Sequence, residues 1–230
     1  MRLAKYLASC GLGSRRSCED LIKAGEVELN GQFVTRVESD IDTENDKVLY
    51  RGGRIVPKKL VYYLLNKPSG YTSSRQDIHA KLLINDLIPK NPPVWPIGRL
   101  DRETSGLIIL TNDGELTQKL THPKFEKEKE YVINTDAILN KNEVEKIKAG
   151  VILDDGLIRP DLFEMNKDGS YRIVIHEGRK RIIRRLIAYF GKKVIRLKRV
   201  RIDSLELNDL RDGEYRILSD REISLLKTND

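Results

Sequence analysis

From Pro96 to Thr111 the chain reads PIGRLDRETSGLIILT, a polar loop bracketed by Gly98 and Gly106 that runs straight into an apolar stretch. One carboxylate, Asp101, stands in it between two cations, Arg99 and Arg102. An acid set between opposite charges can serve as a base or a nucleophile. The same residues also suit a capped surface turn in which Asp101 and Ser105 satisfy backbone donors. Spacing alone leaves both readings open.

A second concentration of chemistry lies further on. From Arg172 to Arg201 there are twelve Lys and Arg residues and one acid, Glu177, which leaves 30 basic and 34 acidic residues elsewhere. This one segment supplies the whole net charge of +7. Such a stripe is either a solvated face or a surface for a polyanion, because neutralised phosphates release their counterions. Charge placement favours nucleic acid. The histidines, His79, His122 and His176, are scattered, and the two cysteines, Cys10 and Cys18, have no histidine near them. Neither pattern makes a metal site or a disulfide framework, so no metal and no cofactor is expected. A reducing cytoplasm is expected.

The elements that must position these residues follow from periodicity. Leu3 and Leu7 fall at helical spacing, Gly11 and Gly13 interrupt, and Ser14 can cap a second helix carrying Cys18, Leu21 and Ile22. Asn30-Gly31 between Val27-Leu29 and Phe33 predicts a hairpin with a type I′ turn. Arg51 to Arg54 makes another turn, and Pro57-Lys58-Lys59 reads as a linker, giving a first domain over 1–58 and a second over 59–230. In the second domain, strands are expected at Leu60–Leu65, Leu107–Thr111, Glu130–Asn134, Tyr171–Ile175 and Val194–Ile202. Helices are expected at Leu82–Ile88, Glu115–Leu120, Asn140–Ala149 and Arg179–Phe190. The last carries an apolar stripe of Ile183, Leu186, Ile187 and Phe190, roughly opposite Arg181, Arg184 and Arg185. Helices interrupt strands irregularly, so the fold class is α+β: a small αα-β domain, then a mixed, largely antiparallel β-sheet domain with flanking helices. The 39% hydrophobic content suits a buried core, and no apolar run approaches the roughly 18 residues that span a bilayer. No secretory signal is expected in MRLAKYLASCGLGSRR.

Gly98-Arg99-Leu100-Asp101, followed by Thr104-Ser105-Gly106-Leu107-Ile108-Ile109-Leu110-Thr111-Asn112-Asp113-Gly114, resembles the active-site loop of the pseudouridine synthases that act on bacterial ribosomal RNA. Further blocks fall in that family's order: Leu64 to Gly70 (LLNKPSG), Lys127 to Tyr131 (KEKEY), His176 to Arg185 (HEGRKRIIRR) and Leu197 to Ile202 (LKRVRI). The first domain, with Ser14-Arg15-Arg16, Leu21-Ile22, Gly25, Val27 and Asn30-Gly31, resembles an S4 RNA-binding domain.

The resemblance implies an isomerase that flips a uridine out of folded RNA, breaks its N1–C1′ bond, and rejoins the base through C5. It makes Asp101 the catalytic carboxylate, adding to C1′ or taking the C2′ proton. Tyr131 stacks on the uracil, and Arg184 pairs with Asp101. RNA contacts are expected from Arg15, Arg16 and Lys23 in the first domain, and from Arg99, Arg179, Lys180, Arg181, Arg185 and Lys198 in the second. Where the family usually has Asn-Arg-Gln-Val, the chain has Lys180-Arg181-Ile182-Ile183, which keeps the arginine and removes an amide near the site at Ile182. The implied partner is ribosomal RNA, 23S in preference to 16S, with a monomeric protein, no membrane and no obligate protein partner. A non-catalytic RNA-binding assembly factor on the same fold is the reading from another class.

Overall fold

The computed structural model describes residues 1–74 and 80–228, so His79 lies outside the described residues. The chain divides into two compact units, Met1–Val61 with Asn91–Pro93, and Tyr62–Lys90 with Val94–Asp230.

The first unit opens with α1 (Leu3–Ser9) and α2 (Arg15–Lys23), followed by β1 (Val27–Leu29), β2 (Gln32–Val34), β3 (Val48–Tyr50) and β4 (Gly53–Arg54). The Ser14 hydroxyl accepts from the Ser17 N–H and caps α2. Asn30 and Gly31 both take positive φ, 52° and 83°, as the hairpin turn requires. The strands pair in the order β2-β1-β3-β4. Leu3, Leu7, Cys18, Ile22 and Val27 are fully buried between helices and sheet. Cys10 and Cys18 are buried free thiols, both pushed up to about 11 by burial. The Lys58 N–H still bonds to the Ser9 carbonyl, so this unit holds the chain beyond Pro57.

The second unit begins with β5 (Tyr62–Lys67), a 3-10 turn at Ile84–Leu87, β6 (Trp95–Pro96), β7 (Ser105–Thr111), α3 (Gly114–Thr121) and β8 (Lys129–Thr135). There follow α4 (Lys141–Ala149), β9 (Val151–Leu153), β10 (Gly156–Ile158), β11 (Leu162–Met165), β12 (Tyr171–Ile175) and α5 (Ile182–Tyr189). The unit closes with β13 (Val194–Ile202), β14 (Leu205–Glu206), β15 (Tyr215–Ile217) and α6 (Asp220–Thr228). The main sheet runs β11-β12-β8-β13-β7-β5-β15, with β14 on β13 and β6 on β7. Its pairs are antiparallel except for β13 on β7. One face, with Leu64, Leu107, Ile109 and Ile202, packs with Leu116 and Leu120 of α3 and Leu226 of α6. Asp113 caps α3 and joins it to α6 through a 2.7 Å ion pair with Lys227, while the Tyr62 hydroxyl donates to the same carboxylate.

Three sequence expectations change. The strand expected at Leu60–Leu65 is β5, Tyr62–Lys67, because Asn66 and Lys67 are fully buried and continue its pairing with β7. The helix expected at Arg179–Phe190 begins only at Ile182: Arg181 is left-handed (φ 52°), and Arg179 is pinned by Glu177, Asp155 and the carbonyls of Asp155, Gly156 and Leu157. Leu82–Ile88 contributes a single 3-10 turn. Strands β9, β10, β11, β14 and β15 and helix α6 are additions to the sequence reading; several are only two to four residues long, too short for periodicity to register.

Candidate active site

Four neighbouring strands place Lys67 (β5), Gly106 (β7), Arg199 (β13) and Tyr131 (β8) side by side in register. Residues directly opposite across strands project to the same face, so one transverse row carries a lysine, an arginine and a tyrosine on the face away from Leu64 and Leu107. Tyr131 is buried, and the Arg199 guanidinium carbon lies 6.0 Å from its ring centroid.

The loop bearing Asp101 is built onto the β5 end of this row. Lys67 is fully buried, and its ammonium donates to the carbonyls of Pro68 (3.1 Å), Arg102 (3.2 Å) and Thr104 (2.7 Å). The Gly70 N–H donates to the Arg102 carbonyl, and the Ser69 hydroxyl to that of Glu103. The buried Ser73 hydroxyl donates to the Leu100 carbonyl and accepts from the Leu100 N–H. The Thr104 N–H closes the turn on the Asp101 carbonyl at 3.0 Å. The loop backbone is thus fixed on both sides of Asp101, whose side chain is half-buried. Burial pushes Lys67 down to about 8; the Asp101 charge opposes that shift and the Arg199 charge adds to it. Lys129, two residues before Tyr131, is also pushed down to about 8 by burial and by Arg199.

Arg184 is close enough to Asp101 to feel its charge, yet among the described residues Asp101 forms no ion pair within 4.0 Å. The Asp101–Arg184 pairing implied by the resemblance is here a neighbourhood of opposite charges and not an ion pair within 4.0 Å. Arg184 donates to the carbonyls of Val194 (3.2 Å) and Glu103 (3.4 Å), and its nearest carboxylate is Glu103 at 4.0 Å. Glu103 also holds Arg181 at 3.1 Å. The tight turn after Asp101 brings the acid two residues later to the guanidinium instead.

The basic segment is largely matched by acids from distant parts of the chain. Arg185 pairs with Asp154 and Asp155 at 2.5 and 2.6 Å, and Arg179 pairs with Asp155 and Glu177. Arg172 and Arg201 share Glu130, Lys192 pairs with Glu143, and Lys198 pairs with Asp212 at 3.3 Å. In the first unit Lys23 meets Asp20 at 4.0 Å. Of the residues expected to touch RNA, Arg15, Arg16, Arg99 and Lys180 are exposed and have no ion pair among the described residues. His176 pairs with Asp161 at 3.1 Å, and His122 ends α3. Among the described residues no group of three or more His, Cys, Asp or Glu side chains is arranged to hold a metal ion. No helix of the described residues is long and apolar enough to cross a membrane.

The sequence reading missed the roles of Lys67, Ser73, Glu103 and Arg199. Lys67 had a visible signal, a lysine closing an apolar strand directly before proline. Glu103 and Arg199 had none, since each lies in a run of charged residues.

Comparison with known proteins gives a consistent picture. Residues 61–189 match the family model for RNA pseudouridylate synthase, and residues 1–51 match that for the S4 domain. The chain is 39% identical over 233 aligned residues to the ribosomal large subunit pseudouridine synthase B of Bacillus subtilis (strain 168), covering 98% of this chain and 95% of that protein. It is 36% identical to an RNA pseudouridine synthase of Aquifex aeolicus (strain VF5), over 98% of this chain and 93% of the other. A crystal structure of a pseudouridylate synthase superposes with a TM-score of 0.71 at 28% identity, covering 98% of this chain and 99% of that one.

Proposed function

The chain belongs to the RNA pseudouridylate synthase family and carries an S4 domain, and from that premise we propose that it isomerises a uridine of large-subunit ribosomal RNA, with Asp101 acting at the sugar. What carries the assignment to Asp101 is the anchoring of its loop: Lys67, Ser69, Gly70 and Ser73 fix the backbone on either side of a half-buried carboxylate. A catalytic group has to be held to within a fraction of an ångström, and buried second contacts do that. A surface turn needs no such scaffold.

In this mechanism the target uridine leaves its stack and enters the site, where the Tyr131 ring offers a face for the base. Asp101 attacks C1′ or removes the C2′ proton, and the N1–C1′ bond breaks. The base turns, and C5 bonds to C1′. Arg184, anchored on two carbonyls, orients the charged end of the loop through Glu103. The exposed cations Arg15 and Arg16 in the first unit and Arg99 and Lys180 in the second contact phosphates. The choice of large-subunit RNA is supported by the name of the Bacillus subtilis relative. A cytoplasmic location fits the buried free thiols of Cys10 and Cys18.

The experiment incubates the purified protein with unmodified 23S and 16S transcripts and maps pseudouridine chemically. Product in 23S alone is expected. Asp101→Asn should abolish product while RNA binding stays within a few-fold. Product confined to 16S would overturn the subunit assignment, and full turnover by Asp101→Asn would remove the catalytic role. RNA binding by the wild type without product would favour the assembly-factor reading.

A further inference from the structure

Arg199 is a buried cation that the fold leaves unmatched. It is 4% exposed, its side chain donates from Nε to the Leu107 carbonyl at 2.8 Å, and its buried Nη2 has no hydrogen-bond partner among the described residues. Among the described residues no carboxylate pairs with it. Of the other cations around it, Lys67 is held by three carbonyls and Lys129 by those of Lys127 and His176; Arg184 has a buried Nε without a hydrogen-bond partner among the described residues, but it meets two carbonyls and has the Glu103 carboxylate 4.0 Å away, a counterion that Arg199 lacks. A desolvated charge without a counterion is destabilising, and a buried donor without an acceptor adds to that. An apolar side chain of similar volume would hold β13 in the sheet without that penalty. The guanidinium is spent beside the Tyr131 ring, where it raises the positive potential of the row.

The reaction proposed above needs a positive potential at that place. When N1–C1′ breaks, the bonding electron pair leaves with N1, and the detached uracil is an anion whose charge spreads over the ring and its two carbonyl oxygens. It stays one until C5 forms the new bond to C1′; the C5 proton is then lost and N1 takes one up, so the final tautomerisation is neutral in protons. Water would stabilise such an anion, but a site that stacks the base excludes it. A fixed, desolvated cation does the same work without reorganising.

We propose that Arg199 stabilises the uracil anion while the base is detached from the ribose, acting on the base held against Tyr131. This deepens the catalytic reading of the site and rests on it. Asp101 would then govern the sugar and Arg199 the base, two charges of opposite sign serving the two fragments of one broken bond.

The test compares wild type, Arg199→Gln and Arg199→Lys in single turnover at saturating enzyme, on 23S transcripts carrying uridine or 5-fluorouridine, and follows cleavage of the N1–C1′ bond as loss of the N-glycosidic nucleoside, because the fluorinated base keeps its fluorine at C5 and cannot lose a proton there. Fluorine shares the negative charge and makes the base a better leaving group. Arg199→Gln is expected to slow the uridine reaction on the order of 100-fold, with RNA affinity within threefold. Arg199→Lys should recover part of the rate, and the Arg199→Gln deficit should shrink at least tenfold on 5-fluorouridine. Equal deficits for both variants on both bases would mark a packing role and overturn the inference, as would an Arg199→Gln rate within threefold of wild type. A wild type that makes no pseudouridine would bring down the catalytic reading, and this one with it.

Discussion

A Cβ on Gly106 would lie 2.1 Å from the carbonyl oxygen of Arg199, so β7 and β13 touch backbone to backbone in the short parallel stretch between the two halves of the sheet. Gly106 also has φ +105°, a conformation closed to other residues without strain. Both constraints fall at the centre of the row that joins Lys67 to Arg199 and Tyr131. Gly106→Ala should therefore separate the strands and cost at least about 3 kcal/mol. Urea unfolding measures this; a midpoint within experimental error of wild type would show that the close approach is not needed.

The buried Lys67 gives stability a pH signature. Its folded pKa, about 8, lies below the ordinary lysine value of 10.5, so between those limits the unfolded chain holds more protons than the folded one. Stability from this residue therefore rises with pH across that window, by up to ~1.4 kcal/mol per unit. Wild type should gain on Lys67→Met in urea midpoint between pH 8 and 10. Parallel pH profiles for the two proteins would contradict it.

The ion pairs divide the basic residues into two groups for RNA binding. Lys180 and Arg99 have no ion pair among the described residues, and each change to alanine should reduce the salt slope of binding by about one unit. Arg185 already faces Asp154 and Asp155, so Arg185→Ala should leave the slope unchanged and lower thermal stability through the freed acids. The reverse ranking would mean that RNA displaces these acids.

Glu103 restrains two arginines, Arg181 at 3.1 Å and Arg184 at 4.0 Å. Glu103→Gln removes a negative charge beside the site and releases Arg181 toward phosphate. RNA affinity should rise by about two- to fivefold at low salt, and the salt slope should steepen by about one unit. Weaker binding, or no change in slope, would show that Glu103 positions Arg181 for RNA instead of occupying it.

The Glu130 carboxylate, buried between Arg172 and Arg201, is the strongest test of the paired half of the basic segment. Glu130→Ala removes the buried carboxylate that both guanidiniums share, leaving Arg172 with the more exposed Glu164 and Arg201 with Glu128, and should cost about 2 kcal/mol in urea unfolding. A loss under 1 kcal/mol would place the pair among ordinary surface contacts.

Much of this was readable in advance because it depends on neighbours along the chain. The Ser14 cap, the Asn30-Gly31 turn, the Asn140 and Gly150 ends of α4 and the apolar face of α5 are local stereochemistry, and residue order states them. The loop of Asp101 and the strand that follows were equally visible, as a polar run ending at Gly106. The start of α5 was not, because Arg179 is held back by an acid on the β9–β10 turn, more than twenty residues earlier. The partners of the charge stripe were hidden for the same reason: counting along the chain cannot see Asp154, Glu130, Glu143 or Asp212 arriving from elsewhere.

Residue order was enough for most of the elements and for the loop that carries the carboxylate, since each depends on short-range geometry and hydrophobic period. Folding in three dimensions set which cations are spent on internal acids, that Arg184 meets Glu103, and that Lys67, Gly106, Arg199 and Tyr131 form one line. Strand register sets those relationships, and register arises from pairing between residues far apart in the chain, Lys67 with Gly106 and Gly106 with Arg199. Coulomb and hydrogen-bond energies fall off over a few ångströms of space, whatever the separation along the chain.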